Sequence, residues 1–328
     1  MEVMPVQAFV FPGQGSQSVG MGRDLAEAFA PAREVFQEVD DALDQHLSQL
    51  MFEGPMEDLT RTDNAQPALM AVSLAVLRVL EREGGLDLKR DVALVAGHSL
   101  GEYSALAAAG ALGVAQTARL LRLRGNAMQK AVPPGMGGMA ALIGVGMDME
   151  RAASLCAEAA TFTDEAGRAH TQVLEVANDN GGGQVVVAGE TAAIDRVIAL
   201  AKAQGVKRAL RLPVSAPFHC SMMAPAAEEM RAALADTDIK APVVPVVANV
   251  TAAKVTDPAT IRDLLVRQVT GTVRWRESVD AMVAMGIDSF VEIGSGKVLA
   301  GLVKRINGDV ATRSVGTPAD IEAYLAAR

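Results

Sequence analysis

The chain has 328 residues, half of them hydrophobic and only 3% aromatic, with 30 Lys and Arg against 39 Asp and Glu for a net charge of −9. That length suits one large domain with a smaller companion, its core built on Ala, Val, Leu, Ile and Met, and an acidic balance with no basic tail argues against nucleic acid as a partner. Apolar runs such as residues 105–115 are short and broken by Gly, residues 1–11 lack a basic leader region, and Cys156, Cys220 and four unpaired histidines form neither a disulfide framework nor a metal site; a soluble, cytoplasmic, monomeric protein with no membrane contact and no metal is expected.

Short apolar runs alternate with Ala/Leu-rich helical patterns, the mark of an α/β fold with a mainly parallel sheet. Ala8-Phe9-Val10-Phe11 predicts a buried strand ending in a Pro-Gly turn. A polar helical pattern at residues 40–50 carries His46. Leu69, Val72, Val76, Leu77 and Leu80 recur at helical spacing and predict a helix over 67–81 that starts at Pro67. Residues 92–96 predict a second buried strand, followed by a Gly-flanked turn and an Ala-rich helix.

From about residue 133 the rhythm changes: strand 139–143, helix 149–160, strands 173–177 and 184–188, helix 191–203 and strand 206–212. That βαββαβ order is ferredoxin-like. Pro133-Pro134-Gly135 and Pro213 punctuate its borders, so residues 133–210 are expected to form a subdomain inserted between residues 1–132 and 211–328 of a larger, hydrolase-like one. Residues 161–172, polar and aperiodic, predict a surface loop containing His170. Strands at 243–249 and 290–293 return to the main sheet.

Gly97-His98-Ser99-Leu100-Gly101 fits G-x-S-x-G, with a strand before it and a helix after it, as a nucleophile elbow requires. Such a turn strains the serine backbone and exposes its hydroxyl at a helix N-terminus, where N–H groups favour negative charge; the alternative is a Gly-rich turn capped by Ser. A serine nucleophile needs a base. His46 and His170 sit in polar segments, and His98, on the tight turn itself, points away and shapes the pocket. His219, in Pro217-Phe218-His219-Cys220, is left as the candidate, against the alternative of a satisfied structural histidine. No nucleotide-cofactor signal is present. Gly13-Gln14-Gly15 lacks the third glycine, residues 135–140 precede a strand, and Gly294-Ser295-Gly296-Lys297 lacks the upstream glycine of a phosphate loop.

Phe11-Pro12-Gly13-Gln14-Gly15-Ser16-Gln17, Gly97-His98-Ser99-Leu100-Gly101-Glu102-Tyr103, Arg122-Leu123-Arg124-Gly125, Pro217-Phe218-His219, Arg267-Gln268-Val269 and Val291-Glu292-Ile293-Gly294 occur in this order. Together they resemble the malonyl-CoA:acyl-carrier-protein transacylases and the related acyltransferase domains of fatty-acid and polyketide synthases, over nearly the whole chain. The resemblance implies that Ser99 attacks a thioester with His219 as base and then acid, in a dyad with no carboxylate. It implies an oxyanion hole from the Gln14 and Leu100 backbone N–H groups, Arg124 pairing with the malonyl carboxylate, and Gln268 orienting His219. Asn178 matches an asparagine near the family's pocket, a strand-end turn being the equal alternative. CoA and phosphopantetheine enter as substrate handles, no further cofactor is implied, and malonyl-CoA and acyl carrier protein are the implied partners in fatty acid biosynthesis.

A serine hydrolase would share the elbow and base. Against it stand the Pro-Gly-Gln-Gly loop, unlike the His-Gly-Gly-Gly of many lipases, and the arginine, which suits a carboxylate rather than a neutral ester. A non-enzymatic docking module is the third reading, disfavoured by intact Ser99, His219 and Arg124. Phe218 agrees with malonyl over methylmalonyl specificity, since its bulk would crowd an α-methyl. Lys202, Lys207, Arg208 and Arg211 are candidates for docking an acidic carrier protein, a scattered solvated surface being the alternative.

Overall fold

The computed structural model describes residues 6–214 and 216–328; residues 1–5 of the segment read for a leader, and Ser215, lie outside the described residues. Among these, twelve strands follow in chain order: β1 Gln7–Phe11, β2 Leu94–Gly97, β3 Gly137–Ile143, β4 Thr161–Thr163, β5 Ala169–Thr171, β6 Leu174–Gly181, β7 Gln184–Glu190, β8 Arg208–Arg211, β9 Val246–Ala248, β10 Ala253–Val255, β11 Ser289–Ile293 and β12 Ala311–Val315.

Six of them form the large sheet, ordered β10-β9-β2-β1-β11-β12, parallel throughout except at its β9–β10 edge. Parallel strands need crossover connections that cover both faces, so their side chains are buried on both. The period of two sorts them: Phe9, Phe11, Val95 and Val291 enter one apolar cluster, while Ala8, Val10, Leu94, Ala96 and Phe290 enter another on the opposite face. The register sets Phe11 beside Gly97, so β1 and β2 end together, and their following loops meet at one edge of the sheet.

The helix expected from Pro67 in fact runs Thr62–Arg82 with Pro67 inside it, and every residue from 62 to 77 is buried. Thr-Asp-Asn-Ala-Gln at 62–66 hides the start because it is polar, yet its groups find partners inside; Asn64 Nδ2, for example, donates to the Asp58 carbonyl at 2.9 Å. The pattern at 40–50 is likewise two helices, Ala30–Leu43 and Leu47–Glu53, broken at Asp44, whose φ of 48° a short polar side chain tolerates. His46 is exposed at that break.

The second sheet is antiparallel, ordered β6-β7-β3-β8 and backed by helices Met149–Ala160 and Thr191–Ala203, with an apolar cluster of its own. Residues 161–172, expected as a loop, carry the small hairpin β4–β5. Neither face of that hairpin is buried, so no apolar alternation marks it. Strand β6 is sewn to the large part of the molecule: Val273 N–H donates to the Ala177 carbonyl and Asp179 N–H to the Val273 carbonyl, both at 2.9 Å. The Asp179–Arg276 ion pair, also at 2.9 Å, reinforces that seam. It brings Asn178 and Asn180 of β6 over the ends of β1 and β2.

Candidate active site

Strand β2 ends at Gly97 and a helix begins at Leu100, leaving Ser99 between them at φ 52°, ψ −111°. A non-glycine residue there costs about 1–3 kcal/mol and persists only where its surroundings over-determine it. The flanking glycines are steric requirements. A Cβ on Gly97 would lie 1.9 Å from the Gly101 carbonyl oxygen, and one on Gly101 would lie 2.2 Å from that of Phe11. Positive φ occurs at four non-glycine residues among those described, and two of them are Ser99 and His219.

Those two meet. Ser99 Oγ lies 2.8 Å from His219 Nε2, and His219 Nδ1 lies 2.9 Å from the Gln268 backbone carbonyl. A carbonyl only accepts, so Nδ1 carries the proton and Nε2 presents its lone pair to the serine. His219 is 4% exposed. Burial first, and the Arg124 cation second, pull its pKa down to about 3, which keeps the imidazole neutral and able to accept a proton at pH 7.

Arg124, on the helix Val114–Lys130, is among the largest fully buried side chains of the protein. Its Nη1 donates to Gln66 Oε1 at 2.8 Å, and its Nη2 donates to Gln268 Oε1 at 2.9 Å and to Ser99 Oγ at 3.1 Å. Its Nε has no partner, and the Tyr103 ring faces the guanidinium at 5.7 Å. The neighbouring helical arginines turn elsewhere: Arg122 donates to Gln45 and Arg119 to the Ala42 carbonyl. A buried guanidinium with only neutral hydrogen-bond acceptors is a ready partner for a carboxylate. Gly125, beside it, lets this helix close on the next: a Cβ there would come 2.6 Å from the Asp63 Cα.

These groups open into one pocket of about 370 Å³, walled by Met139, Val186, Leu212 and Phe218. Gln14, Leu100, His98 and Asn178 also line it. Leu100 is the first residue of its helix, where backbone N–H groups have no intrahelical acceptor. Gln14 is tied by its side chain, Oε1 accepting from Thr62 Oγ1 at 2.7 Å. His98 turns away from the Ser99 hydroxyl, as expected, and lines the pocket; its Nε2 lies 2.9 Å from Asn180 Oδ1, and its ring sits 5.7 Å from that of Trp275. Gln268 meets His219 through its backbone carbonyl, while its side chain serves Arg124. Phe218 is buried beside His219. Of the four basic candidates for docking, none lines this pocket, and Arg211 is engaged by Asp195 at 2.5 Å.

Sequence reasoning missed Thr62, Gln66, Glu102, Asn180 and Asn249. Gln66 Nε2 donates to Thr62 Oγ1 at 3.3 Å, so a chain of four side chains joins Arg124 to the Gln14 loop. Two polar residues four apart at the head of an otherwise apolar helix were the available signal. Asn249 had none, because it acquires its partners only when β9 pairs with β2. Among the described residues no group of His, Cys, Asp and Glu could hold a metal ion, and no helix is long and apolar enough to cross a membrane.

A family model described as an acyl transferase domain matches residues 8–312. Malonyl CoA-acyl carrier protein transacylase of Salmonella typhimurium is 46% identical over 97% of this chain and 98% of its own length. The crystal structure of acyl-carrier-protein-S-malonyltransferase from Bartonella henselae is 53% identical, with a TM-score of 0.92 over 98% of this chain and 99% of that one. A malonyl-transacylase solved in complex with its type II PKS acyl-carrier protein is 42% identical, with a TM-score of 0.91 over 98% of this chain and 100% of that one. Such coverage at such identity leaves one conclusion: the chain belongs to the acyl transferase domain family and, within it, to the malonyl CoA-acyl carrier protein transacylases.

Proposed function

We propose that this acyltransferase moves the malonyl group of malonyl-CoA onto the phosphopantetheine thiol of an acyl carrier protein, through a malonyl ester on Ser99, and so supplies fatty acid synthesis. The observation that carries the reading is a single constellation: the Arg124 guanidinium 3.1 Å from a serine hydroxyl that lies 2.8 Å from a neutral, buried histidine. The names of the relatives agree with it.

In the first half-reaction Ser99 Oγ attacks the thioester carbonyl carbon and its proton passes to His219 Nε2. Charge on the carbonyl oxygen is received by the Gln14 and Leu100 backbone N–H groups, where one such donor is typically worth about 3–4 kcal/mol. Collapse expels the CoA sulfur, which leaves with the proton from His219. In the second half-reaction the carrier thiol gives its proton to Nε2, attacks the ester, and returns Ser99 to its hydroxyl. Gln268 supports both halves, fixing the His219 tautomer through its carbonyl and the Arg124 fork through its side chain. Arg124 pairs with the free carboxylate of malonyl; an acetyl group would leave that cation without a hydrogen-bonded carboxylate, and polar discrimination of this kind can reach roughly 10⁴-fold. Phe218 crowds the position of an α-methyl. His98 and Asn178 bound the pocket on the side of β6.

Comparing malonyl-, methylmalonyl- and acetyl-CoA as donors, with carrier protein and water as competing acceptors, tests the reading. Malonyl transfer to the carrier thiol should dominate, with a malonyl mass increment on Ser99 in the absence of carrier. Hydrolysis as the main outcome, or no adduct, would replace transferase by esterase. For the carrier, charge reversal at Lys202, Lys207 and Arg208 should raise its KM and spare hydrolysis of malonyl-CoA.

A further inference from the structure

Beneath Ser99 lies a closed ring of buried polar groups, two of which, Asn249 and Glu102, the reaction just described leaves without a role. Asn249 is 1% exposed and Glu102 3%. Asn249 Oδ1 accepts from the Ser99 backbone N–H at 2.8 Å, and its Nδ2 donates to the Gly97 carbonyl at 2.7 Å. Its own backbone N–H donates to Glu102 Oε2 at 2.9 Å, and that same oxygen accepts from Gln268 Nε2 at 2.9 Å. Gln268 Nε2 also reaches the Ser99 carbonyl at 3.0 Å, which closes the ring.

The ring therefore grips three backbone groups, the carbonyl two residues before the strained residue and both the N–H and the carbonyl of the strained residue itself. A side-chain amide suits the first two because it offers one donor and one acceptor from a single planar group. Asn249 is held in place by Glu102, which in turn reaches the ring from the helix that follows the elbow. With the Ser99 N–H occupied, the free backbone donor at this turn is the one after it, on Leu100.

We infer that Asn249 and Glu102 are positioning residues for acyl transfer: they clamp Ser99 in the strained conformation that presents its hydroxyl to His219 and Arg124. The inference rests on Ser99 being the acyl acceptor. A buried polar cluster serving the fold alone would affect melting temperature; this one sets the rate of serine acylation. A misplacement of about 1 Å in a reacting group can cost on the order of 100-fold.

The test is rapid-quench mixing with malonyl-CoA, followed by intact-mass measurement of the malonyl adduct, on the wild type, Asn249→Ala and the near-isosteric Asn249→Asp. Asn249→Asp keeps the acceptor for Ser99 N–H and turns a second acceptor toward the Gly97 carbonyl. Both variants should acylate roughly 30- to 100-fold more slowly while the malonyl-CoA KM stays within about threefold, since the Arg124 contacts are untouched. Should Asn249→Ala fail to fold, folded Asn249→Asp decides alone. Glu102→Gln should acylate at least about tenfold faster than Glu102→Ala, because the carboxamide oxygen can still accept from Asn249 and Gln268. No adduct in the wild type would overturn the acyl-transfer reading itself. A wild-type adduct with an unchanged acylation rate in folded Asn249→Asp, or with a loss confined to KM, overturns the Asn249 inference; equal rates in Glu102→Gln and Glu102→Ala overturn that for Glu102.

Discussion

The floor and the wall of the pocket come from different sheets and are built on opposite physics. The floor lies at the ends of β1 and β2: Ser99 is strained, Arg124, Gln268, Glu102 and Asn249 are buried polar groups, and His219 closes over them. The wall on the side of the antiparallel sheet is largely relaxed and apolar, with Met139 and Val186 in regular strands and two asparagines at the rim. Strain and buried polar groups are expensive, and at the floor they hold the groups proposed to react; the wall sets shape, which ordinary packing achieves. Substitutions in the two regions should therefore differ in kind, with rate and carboxylate recognition failing at the floor and only the tolerated shape of the acyl group changing at the wall.

The largest effect belongs to Ser99→Ala, expected to lower transfer by roughly 10⁴- to 10⁶-fold and to abolish the mass adduct, with the melting temperature retained. A variant that kept its adduct would place the acyl group elsewhere. Arg124→Ala comes next. Malonyl transfer should fall by on the order of 10²- to 10⁴-fold while the acetyl-to-malonyl rate ratio rises, because the carboxylate has lost its partner; an unchanged ratio removes Arg124 from acyl selection.

The pH dependence sharpens the comparison further. His219 is held at about 3, below its ordinary value, so the neutral base persists as pH falls past 6.5 and is lost only toward that depressed pKa. Burial raises the Glu102 carboxyl to about 7, so the test uses Glu102→Gln, whose acylation kcat/KM profile should stay flat through the range where a free histidine titrates. Since Arg124 is the second cause of the depression, Arg124→Ala should move this acid limb upward. A limb near pH 7 in the wild type that Glu102→Gln abolishes belongs to that carboxyl; a limb at pH 6.5 that persists in Glu102→Gln would mean that the histidine is solvated during the reaction.

At the wall the effects on malonyl transfer itself should be small. Phe218→Ser should open room for an α-methyl and raise methylmalonyl relative to malonyl by about 10- to 200-fold, with malonyl transfer itself changed little. Val186→Ala should move KM rather than the acylation rate. A wall substitution that slowed acylation as much as Asn249→Asp would erase the distinction between the two regions.

Much of this was legible in the chain. The elbow could be read because Gly97 and Gly101 are local requirements, each a clash avoided within a few residues or against the neighbouring β1. The mainly parallel sheet could be read from apolar runs too short for helices. Pro67 misled because a helix start made of Thr, Asp, Asn and Gln looks like a loop until its tertiary partners are seen. Residues 161–172 misled for the converse reason, an exposed hairpin having no apolar face to announce it.

The sequence by itself determined the turn that carries Ser99 and the set of family motifs, since these depend on backbone sterics and on residue types at fixed spacing. Only the tertiary structure decided that the backbone and not the side chain of Gln268 holds His219, and that Asn249 and Glu102 grip the elbow. Those contacts join residues 49 to 150 positions apart. A pairing across such separations is set by strand order and helix packing, and no local pattern encodes it.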